Sequence, residues 1–157
     1  MKLKIIYPSW PKLERQTEFH LPPHGPIVFA ATVPEDVDII FEDDNVEQIN
    51  FDEHVDLAAI STLLTCQLPR AFEIAAEFRA RKVPVIFGGI STMLHSEEVA
   101  QHADSVFLGE TEGSFSKVLE DFENGRLQPV YNYMNDQPDV GLIGPARRDI
   151  LKRELYN

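Results

Sequence analysis

Short apolar runs alternate along the chain with segments in which apolar residues recur at helical spacing. Five runs have the length and composition of buried strands, namely residues 3–8, 37–43, 55–61, 83–89 and 105–109. They are almost continuously apolar, so we expect both faces of the sheet that they form to be covered. The sequence "PVYNY" at 129–133 could add an edge strand.

Helices are predicted between these strands. In the segment 65–82, apolar residues recur at i, i+3, i+4 and i+7, namely Ala71, Ile74, Ala75 and Phe78. Further helices are predicted over 27–33, where a strand remains the alternative, over 96–103 and over 114–125. Ser96 and Ser114 are the expected N-caps, and Gly125 is the expected C-terminal stop.

The alternation of strands and helices predicts the fold class. Crossover helices require parallel neighbouring strands and right-handed connections. We therefore expect an α/β, three-layer, doubly wound parallel sheet of the flavodoxin-like or Rossmann-like type, with the strand order 2-1-3-4-5. The repeating units fill residues 1–125, whereas residues 126–157 fit no further unit and are predicted to be a C-terminal extension and linker.

Composition and charge exclude several functional classes. The 157 residues carry 26 acidic against 14 basic side chains, a net charge of −12, which disfavours nucleic-acid binding. Ten acidic residues and no Lys or Arg lie between 35 and 56. We interpret them as a solvated rim, and a metal-binding or partner-binding acidic patch is the less favoured alternative. Cys66 is the single cysteine, so the chain contains no internal disulfide and no all-cysteine metal cluster. No apolar run approaches the roughly 20 residues that span a membrane, and we expect a cytoplasmic protein.

A ligand site is expected at the carboxyl ends of the predicted strands, because open parallel sheets bind ligands there. The loops at this edge are rich in small and hydroxyl residues, which let a ligand approach the backbone and supply hydrogen bonds. The candidate residues are Ser61, Leu63, Thr65, Gly88, Gly89, Ser91 and Glu110. Each loop taken alone is also compatible with ordinary turn chemistry.

The order of several motifs resembles one protein family. The chain contains "LPPHGP", "INFDEHVDLAAIS", "RAFEIAAEFRARKVPVIFGG", "HADSVFLGETEG" and "PARRD". In this order and spacing, which cover nearly the whole chain, they resemble the N-terminal cobalamin-binding domain of cobalamin-dependent radical SAM enzymes. The resemblance implies a corrinoid site in which Ser61 hydrogen-bonds the nucleotide tail, Leu63 packs on it, and Gly88 and Gly89 leave it room.

The same resemblance implies further features of the site. Thr65, Ser91 and Glu110 would lie on the same rim, and the proline-rich loop 8–26 would lie under or beside the corrin ring. The parent enzyme would add a barrel with a 4Fe-4S cluster and S-adenosylmethionine, for methyl transfer or a ring-forming rearrangement. The chain has one cysteine, so it cannot hold that cluster itself and is expected to be a carrier without catalytic residues.

The chain departs from cobalamin-binding modules that use a histidine ligand. The motif Asp-x-His-x-x-Gly is missing from the sequence, and His20 and His24 lack the flanking Asp and Gly. A metal-bound imidazole is normally oriented by a carboxylate, so we expect a corrinoid bound without a protein histidine ligand. Asp52 and His54 form a near-motif, but they precede the third strand and are expected at its amino end, away from the ligand edge.

Other functional classes explain the sequence less well. A phosphoacceptor signalling domain needs an Asp where Ser61 stands, and a flavin mononucleotide carrier needs a phosphate-binding loop after the first strand, where "PSWPKLERQ" has no glycine. The serious alternative is a degenerate flavodoxin-like module without a cofactor, acting in substrate positioning or protein docking.

Overall fold

The computed structural model describes residues 1–12, 20–139, 141 and 144–157. In this part of the chain the strands are β1 (Lys2–Tyr7), β2 (Asp38–Asp43), β3 (Leu57–Ser61), β4 (Val85–Gly88), β5 (Ser105–Gly109) and β6 (Val130–Tyr133). They form one sheet in the order β2-β1-β3-β4-β5-β6, with every pair parallel. The predicted doubly wound fold and its strand order are confirmed, and the possible edge strand at 129–133 is present as β6.

The helices are α1 (His24–Ala30), α2 (Leu68–Ala80), α3 (Ile90–Leu94), α4 (Ser96–Val99) and α5 (Phe115–Glu123). The helix predicted over 27–33 begins earlier, because Pro26 is tolerated in a first turn, where a backbone N–H has no helical partner. Helix α3 was not predicted, since five residues are too few to show a period. Helix α4 ends at Val99 rather than at residue 103. None of the helices in the described residues is long and apolar enough to cross a membrane.

The predicted helix caps are only partly correct. Ser96 is not an N-cap, because His95 holds that position before α4 and makes no side-chain capping bond. Ser114 does hold the N-cap position of α5, but its hydroxyl donates to the Glu110 carbonyl over 3.0 Å instead of accepting from a helix amide. Gly125 has a φ of +66° and follows the end of α5, as expected for a C-terminal stop.

Two apolar cores lie on opposite faces of the sheet. On one face, α1 and α5 cover alternate strand residues such as Leu3 and Ile5. On the other face, α2 and α4 cover the intervening residues, and Phe78 is fully buried there. The four apolar residues that predicted α2 are all buried. Each fully buried side chain of this size contributes roughly 1.5–3 kcal/mol, which explains why both faces must be covered.

The described C-terminal residues pack back onto the sheet. The backbone N–H of Arg147 donates to the Ile27 carbonyl over 2.9 Å, and the Tyr156 hydroxyl donates to Asp43 over 3.2 Å. Lys152 also forms an ion pair with Glu47. The boundary at residue 125 stays a prediction, but β6 lies beyond it and is hydrogen-bonded into the sheet.

Candidate ligand-binding site

A cavity of about 370 Å³ opens at the carboxyl ends of β1, β3, β4 and β5. Its walls come from the loop after β3, the loop after β4, the loop after β5 and the first turns of α1 and α5. Ser61 and Gly88 are paired opposite each other at the last positions of β3 and β4. The cavity therefore lies at the edge where the sequence predicts a ligand.

The cavity has an apolar, aromatic floor. Phe115 packs against Phe29 with ring centroids 4.6 Å apart and planes at 90°, and against Phe107 at 5.9 Å. All three rings line the cavity together with Ile86 and Ala59. A largely apolar surface of this kind fits a flat, uncharged group, with orientation supplied by a few polar atoms at the rim.

The glycines at the end of β4 and directly after it are required for different structural reasons. A Cβ atom on Gly88 would meet no heavy atom within 4 Å, so it would lie in open space. Gly89 has a φ of +99°, and a Cβ atom there would lie 2.3 Å from the Thr62 carbonyl oxygen. Gly88 thus keeps space open at the cavity wall, whereas Gly89 is required by the close approach of the two loops.

Five of the seven predicted site residues line the cavity, namely Ser61, Leu63, Gly88, Gly89 and Glu110. The other two do not. Thr65 points to a different neighbour, with its hydroxyl 3.2 Å from Nε2 of His95. Ser91 is fully buried within α3, where its backbone N–H donates to the Thr62 carbonyl over 3.2 Å. Contact with a ligand remains a prediction for the five that line the cavity.

Buried side chains join the loops around the cavity. The Thr62 and Thr92 hydroxyls lie 3.0 Å apart, and each lies within 3.3 Å of the Gly88 carbonyl oxygen. The backbone N–H of Gly109 donates to the Met93 sulfur over 3.3 Å, which connects α3 to the end of β5. The rim is therefore held in place by the protein's own contacts.

The sequence does not predict several of the residues that line the cavity. Ile90 and Met93 depend on α3, which was not predicted. His24 lies exposed in the first turn of α1 and lines the cavity, whereas His20, with its Nε2 3.2 Å from the Lys12 amine, does not. Part of the proline-rich loop, residues 13–19, lies outside the described residues, so its predicted position under a ring is not described.

The charged groups at the cavity are acidic. Glu110 and Glu112 line it, and no Lys or Arg does so in the described part of the chain. One carboxylate oxygen of Glu112, Oε2, is buried and has no hydrogen-bond partner among the described residues. A second cleft of about 470 Å³ shares both glutamates and extends towards β6 and residues 134–138. Such an arrangement fits a neutral group better than a terminal phosphate, which argues against a flavin mononucleotide carrier.

The near-motif at Asp52 and His54 lies at the opposite edge. The His54 side chain is 87% exposed, with Nε2 3.5 Å from Asp56. The N–H of Asp56 donates to the Lys2 carbonyl, at the start of β1. This placement confirms the sequence expectation. No group of three or more His, Cys, Asp or Glu in the described ranges could hold a metal ion.

The chain is similar to a known methyltransferase. Over 99 residues, 63% of the chain, it is 38% identical to the bacteriochlorophyllide d C-8(2)-methyltransferase of Chlorobaculum tepidum. The matched stretch spans 22% of the length of that relative. No protein-family model matches the chain, and no solved structure matches it significantly. Fold and cavity together define the class as a doubly wound α/β domain with an apolar cavity at the carboxyl edge of its sheet.

Proposed function

We propose that the chain is a cobalamin-binding domain of a radical SAM protein and that its cavity receives the nucleotide tail of the corrinoid. The observation that carries the proposal is the open position at Gly88, opposite Ser61, at the mouth of an apolar cavity. The motif order of the chain and its similarity to a methyltransferase support the same conclusion.

The residues present fit such a tail. A flat, neutral aromatic base matches the floor formed by Phe29, Phe107 and Phe115. The Ser61 hydroxyl on the wall is available to donate or accept a hydrogen bond, and the half-exposed Leu63 side chain offers an apolar contact. When bound, the corrinoid would supply a cobalt centre for methyl transfer or rearrangement.

The proposal assigns the cobalt no protein histidine ligand. His24 is the histidine that lines the cavity. Among the described residues, no carboxylate accepts a hydrogen bond from its ring, so no such bond orients it there. In the parent protein, residues 1–125 would form the carrier domain and residues 126–157 would lead towards a barrel. That barrel would hold the 4Fe-4S cluster and S-adenosylmethionine, and this chain would contribute no catalytic residue.

Reconstitution tests the proposed function. The purified chain is mixed with hydroxocobalamin, passed through a gel-filtration column and examined by visible spectroscopy. The proposal predicts corrin absorbance that co-elutes with folded protein at close to one equivalent. Corrin that elutes only in the small-molecule volume, with folded protein eluting free of it, would overturn the proposal.

The second candidate is a cofactor-free docking module. The observation that favours it is a group of exposed apolar side chains beside the cavity, with Ile90 49% and Leu94 70% exposed. In this alternative they contact a neighbouring domain or position its substrate. The same reconstitution separates the two candidates, since a docking module binds no corrinoid.

A further inference from the structure

Gln67 is a buried amide close to the cavity, but it does not line the cavity. It lies in the 3-10 turn Thr65–Gln67, between β3 and α2, and its side chain is fully buried. A buried amide is stable only when its donors and acceptor find partners, because burial without them costs free energy. Its partners therefore reveal what the residue holds in place.

The Gln67 amide joins two loops at the carboxyl edge of the sheet. Its Oε1 accepts from the backbone N–H of Leu63 over 2.9 Å and of Leu64 over 2.8 Å, both after β3. Its Nε2 donates to the Pro8 carbonyl over 2.6 Å, directly after β1. Tyr7, the last residue of β1 and the neighbour of Pro8, lines the cavity.

Apolar packing does not explain the position of the loop after β3. The side chains of Leu63 and Leu64 are 50% and 41% exposed, so little apolar burial fixes them. Their backbone amides are instead held by one oxygen of one side chain. Glutamine is suited to this arrangement, because it carries an acceptor and a donor on one planar group at the required length.

We propose that Gln67 is a positioning residue that fixes the separation of the loops after β1 and β3 and thereby sets the mouth of the cavity. It acts through Leu63, whose side chain it places beside Ser61 at the wall. The effect on a bound tail rests on the proposed function, whereas the effect on the loops does not.

The first test needs no ligand. Amide hydrogen exchange is measured by NMR for wild type, for Gln67→Met and for the control Gln101→Met, whose exposed amide donates only to the Glu97 carbonyl at the surface. We expect exchange at Leu63 and Leu64 to become about tenfold faster in Gln67→Met, with β3 and β4 amides unchanged. Unchanged exchange at both leucines, or uniform acceleration along the chain, would overturn the proposal.

The second test compares two corrinoids. Hydroxocobalamin carries the nucleotide tail, and dicyanocobinamide lacks it. Gln67→Met is expected to bind hydroxocobalamin about tenfold more weakly and dicyanocobinamide as tightly as wild type does. Equal losses for both corrinoids, or no loss, contradict the positioning role. If wild type binds neither, the proposed function fails, and the exchange experiment alone decides the role of Gln67.

Gln67→Glu provides a second variant in case Gln67→Met does not fold. It keeps the length and the acceptor for Leu63 and Leu64 but places an oxygen opposite the Pro8 carbonyl. We expect both leucine amides to stay protected while affinity for hydroxocobalamin falls. Wild-type affinity in this variant would show that the connection to the loop after β1 is dispensable, and the proposal would be wrong.

Discussion

A Cβ atom on Gly89 would lie 2.3 Å from the carbonyl oxygen of Thr62, because the loops after β3 and β4 meet there backbone to backbone. The preceding residue, Gly88, would meet nothing within 4 Å. The two adjacent glycines look equivalent in the sequence, but the structure requires each of them for a different reason. Gly89 permits the loops to close against each other, and Gly88 keeps the cavity wall open.

This difference predicts unequal losses of stability for alanine substitutions at the two glycines. Gly89→Ala forces a side chain onto a backbone with φ of +99° and into contact with Thr62, and strain alone costs about 1–3 kcal/mol. Gly88→Ala meets no atom and is expected to change the free energy of unfolding by about 0.5 kcal/mol or less. Urea unfolding measures both. Equal destabilisation by the two variants would contradict the assignment.

A buried ion pair joins the neighbouring strands β1 and β2. Lys4 is fully buried, with Nζ 3.0 Å from Glu42 and 2.7 Å from the Asn50 carbonyl. Glu42 in turn accepts from the Asn50 N–H over 3.0 Å. Lys4→Met leaves the Glu42 carboxylate buried without its cation, and we expect a loss of about 3–5 kcal/mol in the free energy of unfolding.

The control for Lys4 is its neighbour on the same strand. The Lys2 amine lies 3.8 Å from Asp38 at the surface, and Lys2→Met is expected to cost less than about 1 kcal/mol. The double variant Lys4→Met with Glu42→Leu should recover part of the loss, because an apolar pair can replace a buried ion pair. If Lys4→Met lowers the free energy of unfolding no more than Lys2→Met does, this interpretation is wrong.

Asp44 contributes stability that depends on pH. Burial would raise the pKa of its carboxyl, but hydrogen bonds from Arg70 and Ser9 outweigh burial and lower the pKa from the ordinary value of 3.8. The folded state therefore binds a proton less readily than the unfolded state, so the stabilisation is present above pH 3.8 and lost as pH falls through the lowered pKa.

Asp44→Asn isolates this contribution. We expect the free energy of unfolding of wild type to exceed that of the variant by a constant amount at neutral pH, and the difference to shrink below pH 3.8. Urea unfolding at a series of pH values from 7 to about 2.5 measures it. A difference that grows on acidification would contradict the pKa direction.

Tyr156 anchors the C-terminal residues to β2. Its hydroxyl donates to Asp43 over 3.2 Å, and burial together with the Asp43 charge raises the pKa of Tyr156. Tyr156→Phe removes this bond to a buried carboxyl, and we expect a loss of about 1–3 kcal/mol in the free energy of unfolding. Limited proteolysis should cleave residues 144–157 faster in the variant. Unchanged stability and unchanged cleavage would mean that the segment is not held there.

The sequence predicts those parts of the fold that depend on local patterns. The apolar runs predict five strands, and their alternation with helices predicts a parallel sheet. In the expected strand order, Ser61 and Gly88 lie at the same edge of that sheet. Helix α3 was missed because it is too short for a period to emerge. Ser91, which the resemblance places on the rim, is buried within that helix and does not line the cavity.

Other features of the site depend on contacts between residues far apart in the chain. Gln67 and Pro8 are 59 positions apart, and no local pattern indicates that their amide and carbonyl meet. The different requirements for glycine at positions 88 and 89 follow from the φ angle of Gly89 and from its close approach to Thr62. The sequence Gly-Gly alone indicates neither of these. The aromatic floor likewise assembles from α1, β5 and α5.

The central claim is that the cavity beside Gly88 receives the tail of a corrinoid. Spectrophotometric titration with hydroxocobalamin compares wild type, Gly88→Phe, which fills the cavity mouth, and Gly144→Phe. Gly144 is the matched control, because it is exposed, lies outside the cavity and has only the Ala31 carbonyl at 4.0 Å from an added Cβ. We expect binding by wild type and Gly144→Phe and a loss of at least about tenfold in affinity for Gly88→Phe. Wild-type affinity in a folded Gly88→Phe protein would contradict the claim.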